Sequence, residues 1–264
     1  MKRQKYPTDL TDAQWDLIRR MLPKRRKNRP GRPRAISPRD LIDAIFYILR
    51  SGCQWRLLPH DFPPWGTVSS QFYRWRRGGL WEKMNHSLHR ELRQEEGKEP
   101  KPTAGILDSQ SVKTTEAGGP RGHDAGKKVT GRKRHLVVDT LGLLLAVVVH
   151  PADIQDQAGA KQVLLKVRRR FPRLQLLWAD SAYGRNDLPT WAIVVCNFVL
   201  EVVRRAAGVV GFIVLPRRWV VERTFAWLGR NRRLSKDYEC SPRVSEAMIH
   251  LAMIHLMLKR LRAG

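Results

Sequence analysis

The sequence predicts an α/β protein preceded by an all-α, helix-turn-helix-like region, and three observations lead there. Residues 1–97 place apolar side chains at helical spacing between clear start and stop signals. Beyond them, AGILD, HLVVDTLGLLLAVVVH and LQLLWAD are short β-branched or leucine-rich runs bounded by Gly, Pro and Asp. The amphipathic stretch DQAGAKQVLLKVRRRF lies before the last of them, so the order is strand, hairpin, helix, strand.

Each element follows from local chemistry. Thr11 and Gln14 form a capping-box pattern ahead of Trp15, Leu17, Ile18 and Leu22, a stripe that ends at Pro23. Ser37 and Pro38 open a second helix whose Leu41, Ile42, Ile45, Phe46 and Leu49 face a core, with Gly52 just past its end. Thr67 is the expected cap of a third, in which Val68, Phe72 and Trp75 point inward and Gln71, Arg74, Arg76 and Arg77 lie elsewhere on the surface. Gly78 and Gly79 stop it. A fourth helix, Leu80 to about Glu96, runs into the polar segment GKEPKPT, which marks a boundary between a helical domain, 1–97, and a second domain, 98–264. In the second domain the Leu141-Gly142 step predicts a hairpin, FVLEVVRR and GFIVLP predict further short strands, and RRWVVERTFAWLGR and SEAMIHLAMIHLMLKRL predict two closing helices.

Composition narrows the partner. The 264 residues carry 50 Lys+Arg against 24 Asp+Glu, a formal charge of +26, far beyond what solubility requires. Residues 1–100 hold 22 basic and 11 acidic side chains and the remainder 28 and 13, so each half meets phosphates independently. With 42% hydrophobic residues and nine Trp, this is a folded chain and not a basic tail. Cys53, Cys196 and Cys240 fit neither a disulfide framework nor a CxxC metal site, so they read as reduced thiols of a cytosolic protein. The first ten residues lack the apolar stretch of a signal peptide, and no apolar run approaches the roughly 20 residues a membrane helix needs, so no membrane partner is expected.

Three carboxylates carry the chemistry. Asp108 and Asp180 each sit after an apolar strand-like run, where a carboxylate is placed to hold a metal at a sheet edge. Either one alone reads better as an end-of-strand turn residue. Glu222, in the helix after them, lies one position off the buried stripe of Val221, Phe225 and Leu228 and shares a face with Arg218. As a surface ion pair, Arg218 and Glu222 would contribute only about 0–1 kcal/mol. As a ligand set, the three suit two Mg2+ ions, with Mn2+ able to substitute: phosphodiester cleavage develops charge on the attacking and leaving oxygens, and hard oxygen ligands hold hard cations.

The segments GILDSQSVKT, LLWADSAYG and RRWVVERTFAWLGRNRRLSKDYE resemble the DDE transposases of bacterial insertion sequences, most nearly the insertion-sequence-five group. QWDLIRRMLP, GCQWRLLPHDFPPWGTV and FYRWRRGGLWEKM are similar to that family's N-terminal helical region, so the resemblance covers nearly the whole chain. It implies an RNase H-like mixed sheet of five strands flanked by helices, an acidic triad at Asp108, Asp180 and Glu222, and an arginine at Arg218. The chain departs from the broader pattern at Leu215 and Gly229, where Tyr and Lys are expected, and Arg230 is one step from the second position.

Basic residues supply the remaining candidates. Gln71, Arg74, Arg76 and Arg77 make the third helix the expected DNA reader, although the connection from Gly52 to Gly66 exceeds a standard helix-turn-helix and an Arg-rich helix is often only a solvated face. The segment EAGGPRGHDAGKKVTGRKRH lacks GxxxxGK[ST] spacing, so no nucleotide cofactor is implied. It is expected as a flexible loop whose Lys127, Lys128, Arg132, Lys133 and Arg134 clamp a DNA backbone near Asp108, the plainer reading being a solvated hairpin. Arg223, Arg230, Arg232 and Arg233 would track the same strand. Trp15, Trp55, Trp65, Trp75 and Trp81 are expected in the helical core, and His250 and His255 are expected to be structural. The functional expectation is a cytoplasmic, nucleoid-associated transposase that binds double-stranded DNA at element ends and target, as a homodimer on DNA because two ends are cut together. The alternatives are an RNase H-like nuclease that cuts without strand transfer and an inactive, transposase-derived DNA-binding protein.

Overall fold

A computed structural model describes residues 3–23, 36–185, 187–203 and 217–261. Helix α1 (Asp12–Arg19) starts at the expected capping box: Thr11 accepts the Gln14 N–H while the Gln14 side chain accepts the Thr11 N–H. Helix α2 (Pro38–Ser51) is capped by Ser37 and ends at Gly52, whose left-handed φ of +75° is costly for residues with a Cβ. Helix α3 differs from expectation. It spans Trp65–Arg77 with Pro64, not Thr67, before its first turn, because the Pro64 carbonyl takes the N–H groups of Thr67 and Val68. Starting the helix earlier leaves Trp65 43% exposed, so this Trp is not in the core, whereas Trp75 and Trp81 are buried. Helix α4 (Leu80–Glu95) completes the N-terminal region.

Six strands form one mixed sheet: β1 (Ala104–Lys113), β2 (Gly122–Asp124), β3 (Val129–Asp139), β4 (Leu144–Pro151), β5 (Leu176–Ala179) and β6 (Val199–Val202). The path runs β2-β3-β1-β5-β6, with β4 also on β3; β1, β3 and β4 are antiparallel, and β1, β5 and β6 are parallel. Five of the six are the expected mixed sheet flanked by helices. The sixth, β2, lies in the segment expected to be a flexible loop, and is held by the pairing of Gly122 with Gly131 and of Asp124 with Val129. Gly142, φ +81°, turns the predicted hairpin between β3 and β4. The GFIVLP segment and Leu215 lie outside the described residues, as does the end of FVLEVVRR, whose remainder forms β6.

Helix α5 (Asp156–Arg170) covers one face of the sheet, packing Val163, Leu164 and Val167 on Leu107, Val137 and Leu145. A short helix, α6 (Leu188–Trp191), follows β5. Alternate residues, Ile106, Leu136, Val138 and Trp178, face the other side, where α7 (Trp219–Gly229) and α8 (Pro242–Arg260) lie. One hydrophobic cluster joins this face to the N-terminal helices: Leu49, Phe72 and Leu88 belong to the same core as Ile254 and Leu258 of α8. A buried ionic joint adds to it. Asp139 at the end of β3 accepts from Arg93 (2.5 Å), from His89 Nε2 (3.1 Å) and from the N–H groups of Leu141 and Leu143. Burial pushes its carboxyl up, and these partners hold it below the usual carboxylate range.

Candidate active site

Strand register brings the two aspartates together. In the parallel pair β1 and β5, Ile106 faces Trp178, so Asp108 and Asp180, two residues further on in each, emerge side by side. Because side chains alternate, both lie on the face of Ile106 and Trp178, over which α7 packs against β1 and β3. Asp108 is not at a strand end, as the sequence suggested, but in the middle of β1, which continues to Lys113 through its pairing with β3. Asp180 does end its strand: its Oδ1 accepts the Ala182 N–H at 2.9 Å and caps the turn Ser181–Gly184.

Glu222 stands in the first turn of α7 with its side chain 53% exposed. Arg218 ties it to the aspartates: one guanidinium nitrogen lies 3.7 Å from Glu222 Oε1 and 3.9 Å from Asp180 Oδ2. Asp108 carries the electrostatic strain of this arrangement. Burial and the neighbouring Asp180 charge push its carboxyl up to about 6, against the pull of the Ser109 N–H, Arg218 and Lys127. Among the described residues no three acidic, His or Cys side chains converge tightly enough to enclose an ion. The donor set still fits a hard divalent cation, since adjacent carboxylates strained by mutual repulsion and partly neutralised by one arginine gain from added positive charge.

On the opposite face of β1, Ser109 donates to Asp156 at the start of α5 (3.1 Å), and Lys133 reaches Asp156 (3.1 Å) and Asp124 (3.5 Å). His135 and His150 stack beside them, and Tyr183 meets His135 Nδ1 at 3.3 Å. Sequence reasoning missed this buried polar cluster because no motif links its members. The only available signal was Asp156 at a helix start.

The predicted cations divide sharply. Lys127 lies beside β1, its Nζ donating to the Ser109 carbonyl at 3.0 Å, and Lys128 is exposed. Arg132, Lys133 and Arg134 do not form a flexible clamp; they are buried in β3. Arg132 donates to the carbonyls of Pro120, Glu239 and Cys240 and pairs with Asp237 (3.2 Å), while Arg134 donates to those of Leu234 and Lys236. Burial brings the Arg134 guanidinium down to about 10. Arg132 and Arg134 neutralise and cap the chain segment between α7 and α8 while Lys133 pairs with Asp156 and Asp124, and this internal work removes all three from a DNA surface. Arg233 is likewise buried against Glu239 (2.8 Å), and Gln71 is buried, not exposed. Arg74 and Arg77 are exposed on α3 and Arg76 is half-buried. Arg230 and Arg232 are exposed after α7, and Arg223 lies between the rings of Trp219 and Trp227 (4.5 and 4.6 Å).

A family model described as the transposase DDE domain matches residues 99–257, and a second, for transposases of the IS4/5 family, matches residues 10–85. The chain is similar to an uncharacterized protein of Sinorhizobium fredii, 37% identical over 82 residues, covering 31% of this chain and 64% of that protein, just under two thirds of its length. It is also similar to an uncharacterized 16.2 kDa protein of the insertion element IS402 from Burkholderia cepacia, 29% identical over 114 residues, 41% of this chain and 76% of that protein.

Proposed function

The chain belongs to the transposase DDE domain family, and from that premise we propose that it is a transposase which binds the terminal inverted repeats of its element, hydrolyses the phosphodiester at each end and joins the freed 3'-hydroxyl to target DNA. The observation that supports this most directly is the side-by-side placement of Asp108 and Asp180, with Glu222 brought to the same face through Arg218. Asp108, Asp180 and Glu222 would hold two Mg2+ or Mn2+ ions, which supply activation of the attacking oxygen and stabilisation of the leaving one. The chain's own residues do the rest. The Ser109 N–H holds the Asp108 carboxylate, the Ser181–Gly184 turn fixes Asp180, and Arg218 keeps Glu222 and Asp180 from repelling each other before DNA arrives.

Arg218 and Lys127 are the cations that act on Asp108, Lys128, Arg230 and Arg232 are further exposed cations for the DNA backbone, and Arg74, Arg76 and Arg77 provide a separate basic stretch on α3. Among the described residues no helix is long and apolar enough to cross a membrane. Two ends must be cut in one reaction, so a homodimer assembled on DNA is the working state. The test is supercoiled plasmid carrying both element ends, incubated with Mg2+. Nicking and strand-transfer products that Asp108→Asn abolishes would establish the reading; cleavage without joining would make the protein a nuclease, and binding without either would make it a DNA-binding module.

A further inference from the structure

A second basic site lies at the outer edge of β4, away from the carboxylates. Helices α3 and α4, α5 and the start of α8 enclose a cleft of about 600 Å³. It adjoins another of about 390 Å³ along Val148 and Val149, the two sharing Lys166, Arg243 and Glu246. Two ion pairs build its walls. Glu82 pairs with Arg170, and Lys166 pairs with Glu246 at 2.9 Å. The same two side chains cap the exposed edge of the strand, Lys166 donating to the Val147 carbonyl and Glu246 accepting the Val149 N–H.

What remains in the cleft is unbalanced positive charge. Arg76, Arg77 and Arg243 line it, and none makes a salt bridge to a described residue. Trp81 and His250 also line it and are 2% and 5% exposed. Trp81 Nε1, His250 Nδ1 and Arg76 Nε are all buried without a hydrogen-bond partner. Buried donors in native proteins are nearly always satisfied, so the unmet N–H groups of Trp81 and Arg76 beside one cavity call for an acceptor. The start of α8 sharpens the demand: Ser241 makes no side-chain cap bond, the first turn has no acidic residue, and Arg243 sits there against the positive end of the helix dipole. An anion offsets all of these at once.

We propose that this cleft binds a phosphate of the DNA backbone, giving the protein a second duplex contact on the β4 edge. Guanidinium groups from separate elements, Arg76 and Arg77 on α3 and Arg243 on α8, suit the paired oxygens of a phosphodiester. The sheet places the site beyond catalytic reach. β4 is two strands from β1, roughly 10 Å at a strand spacing of about 4.8 Å. A duplex held at Asp108 must therefore extend past the catalytic face to meet it. The inference rests on the DNA-handling function proposed above.

The test uses the full chain carrying Asp108→Asn, without divalent ions, so that binding is read apart from chemistry. Anisotropy of a labelled duplex of about 30 base pairs bearing the element end is followed against salt, for Arg243 and for Arg243→Ala, Arg243→Glu and Arg243→Lys. Loss of one phosphate contact lowers the salt slope by about 0.9 and the affinity several-fold, more for Glu than for Ala, with Lys retaining most of both. Circular dichroism confirms that each variant is folded. Unchanged affinity and slope in both Ala and Glu variants overturn the proposal. So does a site that takes inorganic phosphate, read by Trp fluorescence, or an acidic peptide while duplex affinity is indifferent to Arg243. Normal nicking by the wild-type protein alongside unchanged slopes would sink this site alone, whereas slopes that change in a protein unable to nick would sink only the catalytic reading.

Discussion

Asp108 shows how a single side chain is set by its neighbours. A carboxyl raised to about 6 by burial and by Asp180 has a strained charged form, which a bound cation would stabilise while any remaining proton leaves to solvent. Divalent ions are therefore expected to raise the thermal midpoint of the wild-type protein and to leave that of Asp108→Asn nearly unchanged, a comparison that scanning fluorimetry makes directly. Asp43 tests the same physics away from the site. It is 3% exposed, accepts the Leu10 N–H at 2.9 Å, and is pushed up to about 6 chiefly by burial. A folded-state value above the usual 3.8 means that its contribution to stability is complete below about 3.8 and is lost as pH rises through 6. Asn keeps the acceptor and removes the charge. Urea unfolding of Asp43→Asn should thus show a gain over wild type at pH 7.5, of order 1–2 kcal/mol, that shrinks at pH 5; an equal gain at both values would refute the assignment.

At the scale of elements, β3 is the strand whose role changed most between sequence and structure. Its GRKRH run looks like a DNA clamp when read as a string of charges, yet pairing on both edges draws Arg132, Lys133 and Arg134 into the interior. Arg132→Ala should cost about 3–5 kcal/mol, because it strands the buried Asp237 charge and three carbonyls. Lys128→Ala, on the exposed turn before β3, should leave the melting temperature unchanged and weaken DNA binding. The reverse pattern in melts and gel shifts would restore the clamp. Helix α5 depends on a missing side chain in a comparable way. A Cβ at Gly159 would come within 2.3 Å of His150 Nε2 and 2.4 Å of His135 Nε2, so Gly159→Ala is expected to destabilise by about 1–3 kcal/mol through overpacking.

At the scale of the whole molecule, the N-terminal helices and the C-terminal helix α8 share one core, pinned by the buried Asp139 joint between α4 and β3. A shared core implies shared unfolding. Amide hydrogen exchange in rising urea reads the two regions separately, through the helix amides of α2 and α4 and the strand amides of β1 and β3. The two urea transitions should coincide, and two separated transitions would show that the helices fold independently.

The amino-acid string alone determined the α/β order, most helix starts and the β3–β4 hairpin, because capping, periodicity and turn chemistry are local; Asp108, Asp180, Glu222 and Arg218 stood out through the resemblance of their segments to a known family. It did not reveal which charges are buried. Burial of Arg132, Arg134 and Arg233 and the cleft joining Arg76 to Arg243 depend on segments far apart in the chain meeting in space. Charge says what a residue can bind; only packing decides whether that residue faces water, DNA or another part of the same chain.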